Sequence, residues 1–182
     1  MSWASITCVF VAYFFGTTDF ARARGHHPQV YKMLMRMLDD FGPNNWTSEL
    51  RHCVPGFAPF RGTTTAYADF TYDDTRGQLT REWFGPEKAA LWQGRWPRYH
   101  IEVKSTRGEE SEPFHMSRVQ MLTASRFSER AIVGPDIYVV VRVSRIGQTD
   151  PAYMVYADPH RALFYGHLQY VYDVYLQRNT EM

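Results

Sequence analysis

The sequence predicts an α/β domain, a mixed central sheet flanked by helices. Three observations carry this. Val30, Met33, Leu34, Met37, Leu38 and Phe41 recur at three- and four-residue spacing, as the buried face of a helix does. Ala66, Ala68, Phe70 and Tyr72 alternate with Thr65, Tyr67, Asp69 and Thr71, and Tyr99, Ile101 and Val103 alternate with His100, Glu102 and Lys104, the period-two pattern of strands. Ile137 to Val141 is an unbroken apolar run, which reads as a central strand covered on both faces.

The elements follow in order. Trp3 to Phe15 is almost entirely apolar or small, yet too short for a bilayer, which takes about 20 apolar residues. It lacks the positive start and small-residue cleavage site of a secretory signal. Three readings stay open: a packed segment, a membrane or secretory signal, or a product of where the chain was cut or its start assigned. Thr17 to His27 is polar and reads as linker, so residues 1–27 are set apart from a single domain over 28–182.

Pro28 suits the first turn of the helix and Gly42 its stop. Asn44 and Asn45 are candidate caps for a short helix, Trp46 to Cys53, that carries Glu49. Pro55 to Gly62 is loop. Thr64 to Tyr72 is the first strand, Asp73-Asp74 and Arg76-Gly77 mark a turn, and Gln78 to Phe84 reads as the returning strand of a hairpin. Pro86 to Gln93 gives one or two helical turns closed by Gly94. Arg98 to Thr106 is the next strand and Arg107 to Glu112 a charged loop. Ser117 caps a helix running to about Arg130. Asp136 to Ile146 and Ala152 to Ala157 are strands, and the tail reads as a short helix from His160 followed by a strand at Gln169 to Leu176.

A chain of 182 residues supports one domain with a proper core. The net charge of +1 excludes a generally basic nucleic-acid binder, so any polyanion site must come from local clustering. Aromatic residues are abundant and serve core, interface or base stacking equally well. Trp83, Trp92 and Trp96, around the 78–94 segment, read as packing. Cys8 and Cys53 form no disulfide framework or metal knuckle. That fits a reducing compartment, and an intracellular location, cytoplasm or nucleus, is the expectation. No segment is read as a stable membrane span.

The chemistry concentrates at Glu102-Val103-Lys104. Alternation sets Glu102 and Lys104 side by side on one face, while the Val103 carbonyl stays near the edge. A carboxylate and a carbonyl are suitable oxygen ligands for Mg²⁺. Asp69, on the preceding main strand, supplies a second carboxylate, and Glu49 an accessory one. Lys104 would orient or activate a water or stabilise charge at phosphorus. Lys32, Lys88 and Lys104 are the only lysines in an arginine-rich chain. A lysine retained on a strand, where the type is depleted, suits a site that needs a compact ammonium. The bland alternative for Glu102 and Lys104 is a partly exposed salt bridge, worth about 0–1 kcal/mol.

Around this triplet, Arg98, Arg107, Arg118, Arg126 and Arg130 are either phosphate contacts or a solvated surface. His100 shares the face of Glu102 and could touch substrate. His26, His27, His115 and His160 have no metal-ligand spacing. Ser117-x-x-Gln120 fits a capping box.

The strings Tyr99-His-Ile-Glu-Val-Lys-Ser-Thr106, Pro113-Phe-His-Met-Ser117 and Tyr138-Val-Val-Val-Arg-Val143 resemble the C-terminal domain of the plant protein NO VEIN. That family is a domain of unknown function that looks like a branch of the PD-(D/E)xK nuclease superfamily. The resemblance covers about residues 44–158. It implies a restriction-endonuclease-like fold, with Asp69 matching the superfamily's Asp and Glu49 the acidic residue of its first helix. Gln120 departs from it, standing where the family often has Glu. The expectation is a Mg²⁺-dependent nuclease-like site, Mn²⁺ substituting, with Asp69, Glu102 and Val103 at the metal, Lys104 and Glu49 assisting, and Arg98, Arg107, Arg118, His100 and Gln120 toward a nucleic acid. The alternative is the same fold kept without turnover as a binding or scaffold module. The sequence leaves the oligomeric state undecided.

Overall fold

A computed structural model describes residues 27–62, 68–129 and 134–168. Helix α1 spans His27–Met37 and buries Val30, Tyr31 and Leu34, the face that the apolar spacing marks. His27, the first described residue, is already helical, one residue before the boundary expected at Pro28. Two short 3₁₀ turns follow, Pro43–Asn45 and Glu49–Cys53, so the expected helix over Trp46 to Cys53 is reduced to its second half. Trp46 instead bridges to Phe70 and is fully buried.

Strand β1 is Phe70–Asp73; of the strand expected at Thr64 to Tyr72, residues 64–67 lie outside the described residues, while Ala68 and Asp69 precede the strand, Asp69 in a bend where its backbone bonds Ile101, Thr47 and Ser48. The hairpin expected after it is corrected. Gln78 to Phe84 is helical, the first part of α2, Gln78–Ala89. Asp74, turned inward, accepts from Thr80 N at 2.8 Å and from Thr80 Oγ1 at 2.7 Å, satisfying a donor that the first helical turn leaves open. Leu79 and Trp83, four residues apart, then share the buried face. Gly85, at φ 78°, kinks α2 before Pro86, so the helical turns expected from Pro86 are present. They continue into a 3₁₀ turn at Ala90–Trp92.

Strand β2 is Arg98–Ser105, α3 is Arg118–Glu129, β3 is Asp136–Ser144, β4 is Ala152–Tyr156 and α4 is Pro159–Phe164. The strand expected at Gln169 to Leu176 lies outside the described residues, as does Arg130. The sheet is mixed, in the order β1-β2-β3-β4. β1 is antiparallel to β2, β2 parallel to β3, and β3 antiparallel to β4. The central place of β3 accounts for its apolar run, since Tyr138 to Ser144 is buried throughout.

Two apolar layers sandwich the sheet. On one face Phe70, Tyr99, Ile101, Val139 and Val141 meet α1, Trp46 and α2. On the other, Ala68, Tyr138 and Val140 meet Ala124 of α3, with Phe114, Phe127 and Tyr156 around them. Glu102, Lys104 and Arg142 project on this second face, between sheet and α3. No described helix is long and apolar enough to cross a membrane.

Candidate active site

Two backbone devices place Asp69 beside the Glu-x-Lys strand. Its N–H donates to Ile101 O at 3.0 Å, and its carbonyl accepts from Thr47 N and Ser48 N, each at 2.9 Å. The carboxylate then turns toward β2, where Oδ2 accepts from Val103 N at 2.9 Å. The same oxygen stands 3.3 Å from His27 Nε2 at the start of α1, and the Ser48 side chain bonds the carboxylate as well. Asp69 therefore reaches the backbone of the residue between Glu102 and Lys104. N–H and C=O of one strand residue point to the same edge, so the Val103 carbonyl faces this side too.

Glu102 and Lys104 are neighbours, as alternation requires. Lys104 Nζ lies 2.7 Å from Glu102 Oε1, with both side chains largely buried, so this is not the exposed salt bridge of the bland reading. Gln120 of α3 completes the arrangement. Its Nε2 donates to Glu102 Oε1 at 2.6 Å, while its Oε1 accepts from Lys104 Nζ at 3.0 Å and from Ser117 N at 3.0 Å. Ser117 Oγ in turn accepts from Gln120 N at 3.2 Å. Gln120 is thus both capping-box residue and site residue. An amide serves both ends without carrying charge. A carboxylate here would face Glu102 with like charge and no donor.

Burial and the charge of Asp69 push the Glu102 carboxyl up to about 7, against the pull of Lys104. Asp69 goes the other way. Burial alone would raise it, but His27, the Val103 N–H and Ser48 hold it below the usual carboxylate range. His27 is raised, because the Asp69 carboxylate outweighs the burial that opposes its charge. Asp69, held low by its partners, and Glu102, held high, make two carboxylates of unlike character in one buried place.

Among the described residues, no three His, Cys, Asp or Glu side chains are gathered so as to hold a metal ion; Glu102 Oε1 turns to Lys104 and Gln120 instead. The donor chemistry available to a cation is two carboxylates and the Val103 carbonyl. Mg²⁺ accepts such a set, since it keeps several waters and takes one or two protein carboxylates. Glu102 is raised first by burial and then by Asp69, and a bound cation would favour its ionised form.

The other expected residues divide. Glu49 is exposed, one step beyond Ser48, and no hydrogen bond or ion pair joins its carboxylate to Asp69 or Glu102. Arg107 and Arg118 stand near Lys104 and Gln120 in the chain and are exposed. Arg98 is at the far end of β2, about 20 Å away at 3.3 Å per residue, and pairs with Asp73 at 2.6 Å. His100 is buried and committed, its Nε2 2.8 Å from Asp136 Oδ1 and its ring stacked on Phe127.

Three site residues were not legible as such. His27 looks like the end of a linker, Ser48 like part of a capped helix, and Tyr138 like part of a core strand. Tyr138 Oη is buried without a hydrogen-bond partner, and the charges of Glu102 and Asp69 act on it. Its hydroxyl, the one polar group in the run Ile137 to Val141, was the one signal available for it. No family model, no curated protein and no solved structure matches this chain.

Proposed function

We propose that this site is a Mg²⁺-dependent phosphodiesterase-type centre acting on nucleic acid, on a fold of the restriction-endonuclease-like kind. One observation carries the reading: the Asp69 carboxylate is hydrogen-bonded to the backbone between Glu102 and Lys104, which converges two carboxylates, a carbonyl and an ammonium from separate elements. The order of helix, strand β1 with Asp69 just before it, helix α2, Glu-x-Lys strand, helix and parallel strand supports the fold assignment.

Asp69, Glu102 and the Val103 carbonyl would hold Mg²⁺, or Mn²⁺ in its place. Such an ion supplies positive charge to a phosphoryl oxygen and acidifies a water. Lys104, released from Glu102, orients the attacking water and carries charge toward phosphorus. His27 keeps Asp69 ionised and fixed in direction, and Gln120 holds Lys104 and Glu102 in register. Arg107 and Arg118 supply backbone contacts at the rim, with Glu49 as an outer carboxylate.

A second reading has its own support. Lys104 and Gln120 both occupy Glu102 Oε1, an arrangement that also suits a nuclease-like fold retained for binding alone. Calorimetry separates the two. Mg²⁺ or Mn²⁺ is titrated into wild type, Asp69→Asn and Glu102→Ala, with and without oligonucleotide. The catalytic reading expects binding in wild type that both variants lose, and cleavage that Lys104→Ala lowers by about 10²-fold or more. Wild type that binds no metal, even with oligonucleotide present, leaves the binding-module reading.

A further inference from the structure

The sheet face that carries Glu102 and Lys104 also carries a cation the site does not use. Arg142 of β3 is the Cα partner of Lys104 across the parallel pair, and alternation puts both side chains on one face. It is 2% exposed. Among the described residues its guanidinium makes one hydrogen bond, Nη2 donating to the Glu112 carbonyl at 3.1 Å. It also lies over the Phe114 ring, 5.3 Å from the centroid, and Phe114 leans on Tyr156. Nε is buried with no partner.

No described carboxylate is within ion-pair distance of Arg142. Glu112, whose charge acts on Arg142 from beyond ion-pair distance, accepts from Thr106 Oγ1 with its carboxylate and gives Arg142 a direct hydrogen bond only from its backbone. A guanidinium has five N–H donors, and burying a cation without a counter-ion is costly. A fold that only needed to fasten Glu112 and Phe114 would not require that charge.

We propose that Arg142 is a phosphate-binding residue, receiving a backbone phosphate of the nucleic acid next to the Glu102–Lys104 centre. This deepens, and rests on, the phosphodiesterase reading. A planar fork of donors matches two phosphate oxygens at once. Neighbouring strands are about 4.8 Å apart, so Arg142 and Lys104 present two positive charges in a row across the sheet. The Phe114 ring lies under the guanidinium and is backed by Tyr156.

Inorganic phosphate is the probe. It is titrated into the full chain at constant ionic strength, and thermal unfolding is followed for wild type, Arg142→Met, Arg142→Lys and Glu102→Gln. Phosphate is expected to raise the melting temperature of wild type and of Glu102→Gln. Arg142→Met is expected to bind it at least tenfold more weakly. A wild type indifferent to phosphate, or an Arg142→Met variant that responds like wild type, overturns the proposal.

Should Arg142→Met not fold, Arg142→Lys decides. It keeps the charge and loses the fork, so about tenfold weaker binding is expected, and wild-type binding overturns the proposal. A single-stranded oligonucleotide identifies the source of the phosphate. It should displace inorganic phosphate, and its salt slope should fall by about 0.7 in the arginine variant, the share of one contact. An oligonucleotide that leaves phosphate in place overturns the assignment to a nucleic-acid backbone. Metal binding is lost in Glu102→Gln while its phosphate response stays, so failure of the metal centre and failure of the phosphate pocket are read separately.

Discussion

At the scale of single residues, Glu102 sets the pH behaviour of the site. Its carboxyl is held up to about 7 from an ordinary 4.5, first by burial and then by Asp69. Across that window the folded chain keeps a proton that the unfolded chain has released, so stability falls as pH rises. His27, also raised, loses its contribution as pH passes its folded value. His100, lowered by burial, works in the opposite sense. The quantity to read is therefore a difference. Glu102→Gln should gain stability relative to wild type as pH climbs from 4.5 to about 7, and the gain should level off above that. Urea unfolding across this range measures it, and a gap that does not change with pH rejects it. The Glu102–Lys104 pairing was legible from alternation alone, because a strand's period leaves no other arrangement. The His27–Asp69 contact was not, since no local pattern says which helix end will abut which strand.

At the scale of elements, the instructive case is α2. The Asp-Asp and Arg-Gly turn signals suggested a hairpin, yet Asp74 is buried and caps the first helical turn through Thr80. Gly77, in the left-handed region at φ 66°, lets the chain enter the helix there, close under Trp96. A turn signal states that the chain changes direction, not what it becomes. The spacing of Leu79 and Trp83, four residues apart, is helical and marks the buried face. Asp74→Ala should cost about 1–2 kcal/mol, the range for losing a helix-capping side chain. Chemical denaturation would show it, and an unchanged midpoint would mean that Thr80 N finds another acceptor. The β2, α3, β3 and β4 assignments needed no such correction, because long periodic or unbroken apolar runs overrule single punctuating residues.

At the scale of the whole molecule, the site depends on the N-terminal part of the domain as much as on the sheet. Trp46 is fully buried against Tyr31, Phe57 and Phe70, and the two residues after it hold the Asp69 carbonyl. Trp46→Ala is expected to cost about 3–5 kcal/mol, as for other large core aromatics. At temperatures where the variant stays folded, it should also weaken metal binding, because the same segment steers Asp69. Calorimetry paired with circular dichroism tests both halves; a folded variant with wild-type metal affinity would uncouple core and site. The mixed sheet flanked by helices was legible in outline. Its strand order was not, because pairing is decided by which faces meet and not by the order in which the runs occur.

That dependence also has a bearing on how the protein is made. His27, Ser48, Asp69, Glu102, Gln120 and Arg142 are spread over more than a hundred residues of chain, and the strand bearing Arg142 pairs directly with the strand bearing Lys104. At 5–20 residues per second, ribosomal synthesis takes on the order of ten seconds to go from the first of these to the last. Until then Lys104 has no parallel neighbour strand, and the groups that would meet a phosphate are unassembled. A nascent chain surrounded by RNA thus carries no finished site.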